Sequence, residues 1–248
     1  MRPELLLLCL LAPGLAAATP LAVGAASSLT DVLPTVGREF ASAVGEAPPA
    51  MSFASSGTVG RQVAGGAPLD AVVLADADQA LRLAREGVLI RGSLTCVATN
   101  RISLVAPRGA RFVSSWADLG TAAVRRVALG NPSLVPAGRL ARQHLEALRL
   151  WEAVVPKAMF AASVRQALAY ARRGEVDAAI VFRTDARAGV PEVRVVDASS
   201  LRARYVVGVV AGSPHEGEAY RFLAFLRGSV ARSLFAEAGF GPCQEEEP

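Results

Sequence analysis

The chain has 248 residues, enough for one large domain or two modest ones, and 19% of these residues are charged whereas 52% are hydrophobic. This balance excludes a disordered chain and predicts a globular one. The formal net charge is +4, but the arginines are scattered and Lys157 is the only lysine. Because no basic cluster interleaves with aromatic residues, the composition argues against nucleic-acid binding.

The first 18 residues have the pattern of a cleaved export signal. Arg2 precedes an apolar core from Leu5 to Leu11, Pro13-Gly14 ends that core, and Ala16 to Ala18 offer small residues for cleavage. The core is far shorter than the roughly 20 apolar residues that span a bilayer. Cys9 lies inside the core, which argues against a lipid-modified cysteine. We therefore expect residues 1–18 to be a signal peptide and the mature protein to be exported and soluble.

The mature chain alternates between predicted strands and helices. In chain order, we predict strands at 21–26, 51–54, 70–75, 102–106, 126–129, 178–182, 193–196 and 205–210. Between and after them, we predict helices at 29–43, 58–64, 78–86, 116–119, 137–148, 164–172 and 219–238, the last with a break at Gly228. Such alternation is typical of α/β folds with open parallel sheets and helices on both faces.

Paired serines stand at two of the predicted strand-to-helix junctions, Ser27-Ser28 and Ser55-Ser56. Ligands of open α/β sheets bind outside the carboxyl ends of the strands, where helices begin. A helix amino terminus offers unpaired N–H groups and a partial positive charge, and a serine hydroxyl adds a donor without formal charge. Two further helices begin near Ala137 and Val164. Four such neutral helix starts predict a site for an ionised oxyanion held by hydrogen bonds alone.

A serine before a helix is also a common helix cap, and that alternative stays open at this point. Ser28, with Asp31 three residues later, resembles a capping box. Each serine pair taken alone is better explained as a cap, whereas two pairs in one exported chain make the two interpretations comparable. Local sequence signals do not decide between them.

Two cysteines, Cys96 and Cys243, remain in the mature chain. Neither lies in a CxxC pattern or near a histidine with metal-ligand spacing, which argues against zinc binding and redox chemistry. In an oxidising compartment they can form one disulfide. The alternative is two buried or idle thiols, and the residues leave both open.

Four segments together carry a resemblance to the periplasmic molybdate-binding proteins of bacterial ABC importers. The resemblance extends over residues 20–241, and the order and spacing of the segments match throughout. The segments are AASSLTDVL (25–33), SFASSGTVGRQVAGGAPLDAVVLAD (52–76), ALGNPSLVPAGRLARQHLEALRLWE (128–152) and SVRQALAYARRGEVDAAIVFRTDA (163–186).

The resemblance implies the fold of a class II periplasmic binding protein, with two α/β lobes that close on a ligand. Each lobe would be a mostly parallel sheet flanked by helices, with crossovers near 101–107 and 201–208. The first lobe would comprise residues 20–104 and 205–241, the second 105–204, followed by an acidic tail at 242–248. The ligand would be molybdate or tungstate, with no cofactor, and the partners would be the membrane permease subunits of an importer. We expect a monomer without enzymatic activity.

The family motifs also map a ligand set onto this chain. The matching hydroxyls are those of Ser28 and Ser56, and the matching backbone N–H donors are those of Ala137 and Val164. The family's fifth ligand is a tyrosine hydroxyl, but this chain has Phe182 there, so we expect its ring at the cleft edge without a donor. A tyrosine at 182 is then expected to tighten binding.

Four further residues gain an expectation from the resemblance. Arg165 and Asp70 match common family positions and are interpreted as structural supports. The carboxyl-terminal segment of this fold returns to the first lobe near the hinge, which would bring Cys243 close to Cys96 and favours a disulfide.

Other classes of function remain as alternatives. Sulfate, phosphate or a small carboxylate is the nearest rival ligand, although a carboxylate site usually contains a bidentate arginine. A hydrolase needs an activated nucleophile with a base nearby, but His144 and His215 are both expected at the surface and no GxSxG motif occurs. A ligand-sensing transcription regulator would carry a DNA-binding domain where this chain has its predicted export signal.

Overall fold

The computed structural model describes residues 19–187 and 190–243; the predicted export signal and residues 244–248 of the predicted tail lie outside this range. Within it, no helix is long and apolar enough to span a bilayer. The strands are β1 (Ala22–Ala26), β2 (Ala50–Ala54), β3 (Ala71–Leu74), β4 (Thr95–Pro107), β5 (Val127–Gly130), β6 (Ala158–Ala161), β7 (Ala178–Phe182) and β8 (Val193–Val209). The helices are α1 (Leu33–Val44), α2 (Ser56–Ala64), α3 (Ala77–Arg85), α4 (Pro136–Ala147), α5 (Trp151–Val154), α6 (Val164–Arg172), α7 (Arg183–Arg187), α8 (Glu216–Arg227) and α9 (Ser229–Glu237).

The eight strands form one continuous sheet in the order β2-β1-β3-β8-β4-β7-β5-β6. At one end β1 runs parallel to β2 and β3, and at the other end β5 runs parallel to β6 and β7. The apolar, mostly uninterrupted sequences of β1, β3, β5 and β7 fit strands that are covered by helices on both faces. We refer to the half that contains β1–β3 as lobe 1 and to the half that contains β5–β7 as lobe 2.

The two long strands β4 and β8 join the lobes. They pair antiparallel with each other from Thr95–Val207 to Pro107–Val193, while β8 also pairs with β3 and β4 with β7. The predicted lobe boundaries at 104/105 and 204/205 therefore fall inside these two strands. The division of the chain at those residues stays a prediction.

Several predicted elements differ from the structure. The two strands expected at 193–196 and 205–210 are one strand, β8, because its middle residues pair with β4 alone and keep polar side chains on an exposed edge. The first helix does not begin at Leu29: Ser27–Leu29 forms a 3-10 turn, and α1 starts at Leu33 next to Pro34. The sequence analysis missed β6, α5 and α7, all of them five residues or shorter.

A disulfide links the first residues of β4 to the carboxyl-terminal segment. Cys96 and Cys243 are bonded, with their Cα atoms 6.0 Å apart. The segment reaches β4 because Thr99 and Gly241 form an isolated antiparallel bridge just after the end of α9. The bond closes a loop over a sequence separation of 147 residues, so its main expected effect is to restrict the unfolded chain.

We predict that the free energy of unfolding of the Cys96→Ser/Cys243→Ser double variant is about 2–5 kcal/mol lower than that of the wild type. The reason is that the unfolded variant gains the conformational freedom of the open loop. Denaturant unfolding of both proteins measures the difference. Reductant should lower the free energy of unfolding of the wild type towards that of the variant and leave the value for the variant unchanged. Mass spectrometry of the unreduced wild type that finds two free thiols would contradict the assignment.

Candidate anion-binding site

The four predicted ligand residues all lie just beyond the carboxyl ends of parallel strands. Ser28 follows β1 in the 3-10 turn, and Ser56 is the first residue of α2, after β2. Ala137 is the second residue of α4, after β5, and Val164 is the first residue of α6, after β6. None of the four is more than 3% exposed. Two come from each lobe, as the sequence analysis expected.

Three contacts bring these residues together across the cleft between the lobes. The amide of Gly57 donates to the carbonyl of Leu134 at 3.0 Å, which brings the start of α2 beside the start of α4. Nearby, Arg139 of α4 forms an ion pair at 2.7 Å with Asp76, the residue that caps α3. At the other end of the cleft, Arg165 of α6 pairs with Asp31 at 2.5 Å. The lobes are thus in direct contact, with Ser56 near Ala137 and Ser28 near Val164.

Glycine at position 57 is required for this contact between the lobes. A Cβ atom added to Gly57 would overlap the carbonyl group of Leu134 in the opposite lobe. Gly138, in the first turn of α4, is packed in the same way against the carbonyl of Gly130 at the end of β5. The helix starts can therefore approach each other and the strand ends because these positions have no side chain.

The two serines of the second pair have different roles. Ser55 is the cap of α2, since its side chain accepts a hydrogen bond from the amide of Thr58 at 3.2 Å. The hydroxyl oxygen of Ser56 instead accepts from the amide of Ala75 at 2.9 Å. This bond occupies the oxygen and leaves the Ser56 proton available to donate to a ligand.

Ser28 is not a helix cap either. Its Oγ atom lies 2.6 Å from the hydroxyl of Tyr205 on β8. The resemblance to a capping box is wrong, because no side chain caps the turn at 27–29 and Asp31 is engaged by Arg165. The serine motif does identify a buried polar position, but its partner comes from 177 residues further along the chain.

The amides of Ala137 and Val164 are free to bind a ligand. Within residues 19–187 and 190–243, neither nitrogen donates a hydrogen bond to a protein acceptor. Both belong to the first turn of a helix, where the i−4 carbonyl of the α-helical pattern is missing. A buried amide in this state is costly unless a ligand or water accepts its hydrogen bond. The arrangement can therefore hold an acceptor-rich, anionic ligand.

The arginines at the cleft add no net positive charge. Arg139 already pairs with Asp76, and Arg165 pairs with both Asp31 and the fully buried Asp185, the latter at 2.6 Å. Burial raises the pKa of the Asp185 carboxyl to about 7, although Arg165 opposes this rise. These ion pairs fit a structural role for Arg165, which also lines the cavity beside Ser28, so its interpretation as a support alone stays a prediction.

Asp70, the other expected support, lies in lobe 1. One of its oxygens accepts from the amide of Ala22 at 2.7 Å, and the other accepts from the hydroxyl of Ser213 at 2.6 Å. The carboxylate therefore ties the start of β1 to the turn after β8. This confirms its structural role.

Phe182 is the last residue of β7, and its expected place at the cleft edge stays a prediction, since the four predicted ligand residues are equally buried. Its ring is 2% exposed, belongs to the main hydrophobic core and packs against the ring of Tyr205 at a centroid distance of 6.0 Å. The helix α7 begins at the next residue and packs against β7 and β4. The effect of Phe182→Tyr on ligand affinity stays a prediction, and an added hydroxyl would be buried.

Sequence reasoning missed a polar cluster that lies behind Ser28. Tyr205, Asn100 and Thr184 are all buried, and the side-chain amide of Asn100 donates to Thr184 at 2.8 Å and to the Tyr205 hydroxyl at 3.4 Å. The sequence gives no distinct signal for Asn100 and Tyr205, since β4 and β8 also carry other polar and charged residues. Their convergence depends on the pairing of β4 with β8, which no local pattern predicts.

Other parts of the described structure offer weaker sites. Within residues 19–187 and 190–243, no group of three or more histidine, cysteine or acidic residues is placed to hold a metal ion. A cavity of about 770 Å³ lies around the disulfide, away from the cleft. Its lining includes Leu226 and Phe235, and it contains none of the four predicted ligand residues.

Asp185 yields a prediction about pH. Because its folded pKa of about 7 lies above the ordinary 3.8, the folded state keeps a proton that the unfolded chain loses from about pH 4 upwards. Stability is therefore expected to fall as pH rises through 7, by about 2–4 kcal/mol at one pKa unit per 1.4 kcal/mol. We predict that the melting temperature decreases from pH 5 to pH 8 and that Asp185→Asn flattens this decrease.

The control for this measurement is Asp78→Asn, which alters an aspartate whose side chain is 87% exposed. Its pH profile should match that of the wild type. A wild-type melting temperature that rises between pH 5 and pH 8 would contradict the prediction, since it would mean that Asp185 is ionised throughout this range.

The sequence matches one family model over almost the whole described chain. The model describes a bacterial extracellular solute-binding protein and covers residues 21–241. Among curated proteins, the molybdate-binding protein ModA of Escherichia coli K12 is 33% identical over 229 residues, which are 88% of this chain and 87% of that protein. A Bacillus subtilis protein, provisionally named as an ABC transporter substrate-binding lipoprotein, is 31% identical over 225 residues, 89% of this chain and 85% of the relative.

The solved structures show the same architecture. The periplasmic molybdate-binding protein of Azotobacter vinelandii superposes with a TM-score of 0.79 at 23% identity, over 90% of this chain and 100% of that one. At this identity the likeness concerns the fold, and it confirms the predicted two-lobed binding-protein architecture. Together with the family match over residues 21–241, this means that the chain belongs to the bacterial extracellular solute-binding protein family.

Proposed function

We propose that this protein binds molybdate or tungstate outside the cytoplasm and delivers the anion to the membrane permease subunits of an ABC importer. The observation that carries the proposal is the set of neutral donors in the cleft: two buried serine hydroxyls and two helix-start amides for which the described residues provide no acceptor. Their chemistry fits a small, fully ionised oxyanion. The relatives named for molybdate binding supply the choice of anion.

The ligand set of the proposal is Ser28 and Ser56 from lobe 1, and Ala137 and Val164 from lobe 2. A tetrahedral dianion between them would receive hydrogen bonds from both lobes, so binding and lobe contact would support each other. Charge-assisted hydrogen bonds are stronger than neutral ones, and exclusion of water strengthens them further. Discrimination against sulfate and phosphate would come from the size of the closed cleft.

The cellular setting of the proposal follows from the family and from the amino terminus. Residues 1–18 would direct export and be cleaved, which would leave a soluble, monomeric, periplasmic binding protein. The acidic tail at 242–248 has no role in the proposed site. No cofactor and no nucleic acid enter the proposal.

One feature bears on an enzymatic alternative, the contact between His144 and Ser199. The ring of His144 is half-buried against Trp116, not at the surface as expected, and its Nδ1 atom lies 3.1 Å from the hydroxyl of Ser199. Ser199 is 2% exposed, however, and its oxygen accepts from the amide of Leu201. The other ring nitrogen of His144, Nε2, is buried without a hydrogen-bond partner among the described residues, so no carboxylate orients the imidazole as a base, and we infer a structural contact. His215 is likewise half-buried.

We predict that Ser28→Ala and Ser56→Ala each weaken molybdate binding by about 1.5–3 kcal/mol, the usual scale for a hydrogen bond to a charged group. Isothermal titration calorimetry of the mature protein with molybdate, tungstate, sulfate and phosphate gives the affinities. The matched control is Ser55→Ala, which removes the cap of α2. It should lower stability by about 0.5–2 kcal/mol and leave affinity unchanged. Equal loss of affinity in all three variants, or none in any, would argue against the assigned ligands.

We also predict that Gly57→Ala weakens binding through lobe closure. The added methyl group would meet the carbonyl of Leu134 and prop the lobes apart, while the fold of each lobe is preserved. Affinity should fall by roughly tenfold or more, since a few ångströms of opening removes the donors of one lobe. Small-angle scattering with molybdate should show a less compact variant.

The control is Gly217→Ala in α8, where an added Cβ meets nothing within 4 Å. This variant should bind molybdate with wild-type affinity and be as compact as the wild type in the presence of molybdate. If Gly57→Ala binds with wild-type affinity, the contact between α2 and α4 does not belong to the binding-competent state.

A further inference from the structure

We propose that Tyr205 is a positioning residue for the anion: held by Asn100, its hydroxyl donates to Ser28 and so directs the Ser28 proton into the cleft. This inference rests on the proposed function, because it assigns a role within that site. It concerns the orientation of the Ser28 hydroxyl towards the anion, which the identity of the four ligand residues does not specify.

The first step is the geometry. Tyr205 lies on β8 with no exposed surface, and its hydroxyl is 2.6 Å from Ser28 Oγ and 3.4 Å from Asn100 Nδ2. The orientation of Asn100 is fixed, because its side-chain oxygen accepts from the amide of Arg101 at 2.9 Å and its nitrogen donates to Thr184 at 2.8 Å. Asn100 therefore presents only N–H groups to Tyr205.

The second step is the direction of the chain of hydrogen bonds. An amide nitrogen can only donate, so the Tyr205 oxygen accepts from Asn100 and its own proton is left for Ser28. Burial raises the pKa of the Tyr205 hydroxyl, which keeps that proton in place at neutral pH. Ser28 Oγ then acts as an acceptor towards Tyr205, and the remaining Ser28 proton is free for the anion.

The third step is a comparison with the other ligand serine. Ser56 Oγ also accepts from a fixed protein donor, the amide of Ala75. In both serines a buried donor takes one lone pair of the oxygen, so that the hydroxyl proton stays available for the ligand. For Ser56 the backbone provides that donor, and for Ser28 a side chain does. Successive hydrogen bonds also polarise one another, which strengthens the last donor of the chain.

The surroundings of Tyr205 make its hydroxyl separable from its ring. The ring packs against Phe182 at 6.0 Å and against Phe240 at 5.3 Å between centroids. Tyr205→Phe keeps these ring contacts and removes only the hydroxyl. Without the Tyr205 hydroxyl, the Ser28 hydroxyl can rotate towards other acceptors, so its proton no longer points at the anion.

The test is a double-variant cycle on the mature protein, with molybdate affinity measured by calorimetry and melting temperature by circular dichroism. We expect Tyr205→Phe to bind roughly tenfold more weakly, the scale of one hydrogen bond to a charged ligand. In the Ser28→Ala background, the same change should have no further effect on affinity. A purely structural role of the hydroxyl would lower the melting temperature of both backgrounds and leave both affinities unchanged.

Controls separate the possible failures. Tyr170→Phe alters a tyrosine of α6 that packs against Arg173 and should bind like the wild type. Asn100→Ala removes the donor to Tyr205, should also weaken binding, and decides the question if Tyr205→Phe does not fold. A wild type that binds neither molybdate nor tungstate would overturn the proposed function. A wild type that binds, with Tyr205→Phe equal to Tyr170→Phe, would overturn this inference alone.

Discussion

An ionised group buried in a protein interior is strongly disfavoured unless hydrogen bonds or opposite charges replace its lost hydration. In this cleft the opposite charges are already used. Arg139 and Arg165 each contact carboxylates, and one of those, Asp185, has a pKa raised to about 7 by burial. The proposed anion site would therefore depend on neutral donors whose orientation the fold fixes in advance. Most other features of the structure serve that requirement.

The fold meets the requirement through the position of helix starts. Parallel strands place their carboxyl ends, and the helices that follow, at one edge of each half of the sheet. The antiparallel pair β4 and β8 joins the two halves, so that the edges face each other. Glycines at 57 and 138 let the backbone approach closely enough for contact between the lobes. The serine oxygens are then held by buried donors.

Local sequence patterns predicted the elements well where they were long and apolar. The strand at 178–182 and the helix at 164–172 have the predicted bounds, and the break at Gly228 separates α8 from α9. Short elements such as α7 and the exposed edge of β8 lack a strong hydrophobic period, and these were missed or divided.

The candidate site, like the fold, was predictable from the sequence only in part. Helix starts and serine pairs are visible in sequence, and the family resemblance selected Ser28 and Ser56 from within their pairs. The roles of the neighbouring residues required the structure: Ser55 is the cap, and Tyr205 with Asn100 stands behind Ser28. These contacts join residues up to 177 positions apart, and no local pattern contains that information.

The most direct measurement is the position of the anion itself. A crystal structure of the mature protein with tungstate, located by its anomalous scattering, would give that position without reference to any relative. We expect one strong peak in the cleft, with anion oxygens at hydrogen-bond distance from the hydroxyls of Ser28 and Ser56 and the amides of Ala137 and Val164. A peak beside arginine side chains outside the cleft, with these four groups unoccupied by the anion, would contradict it.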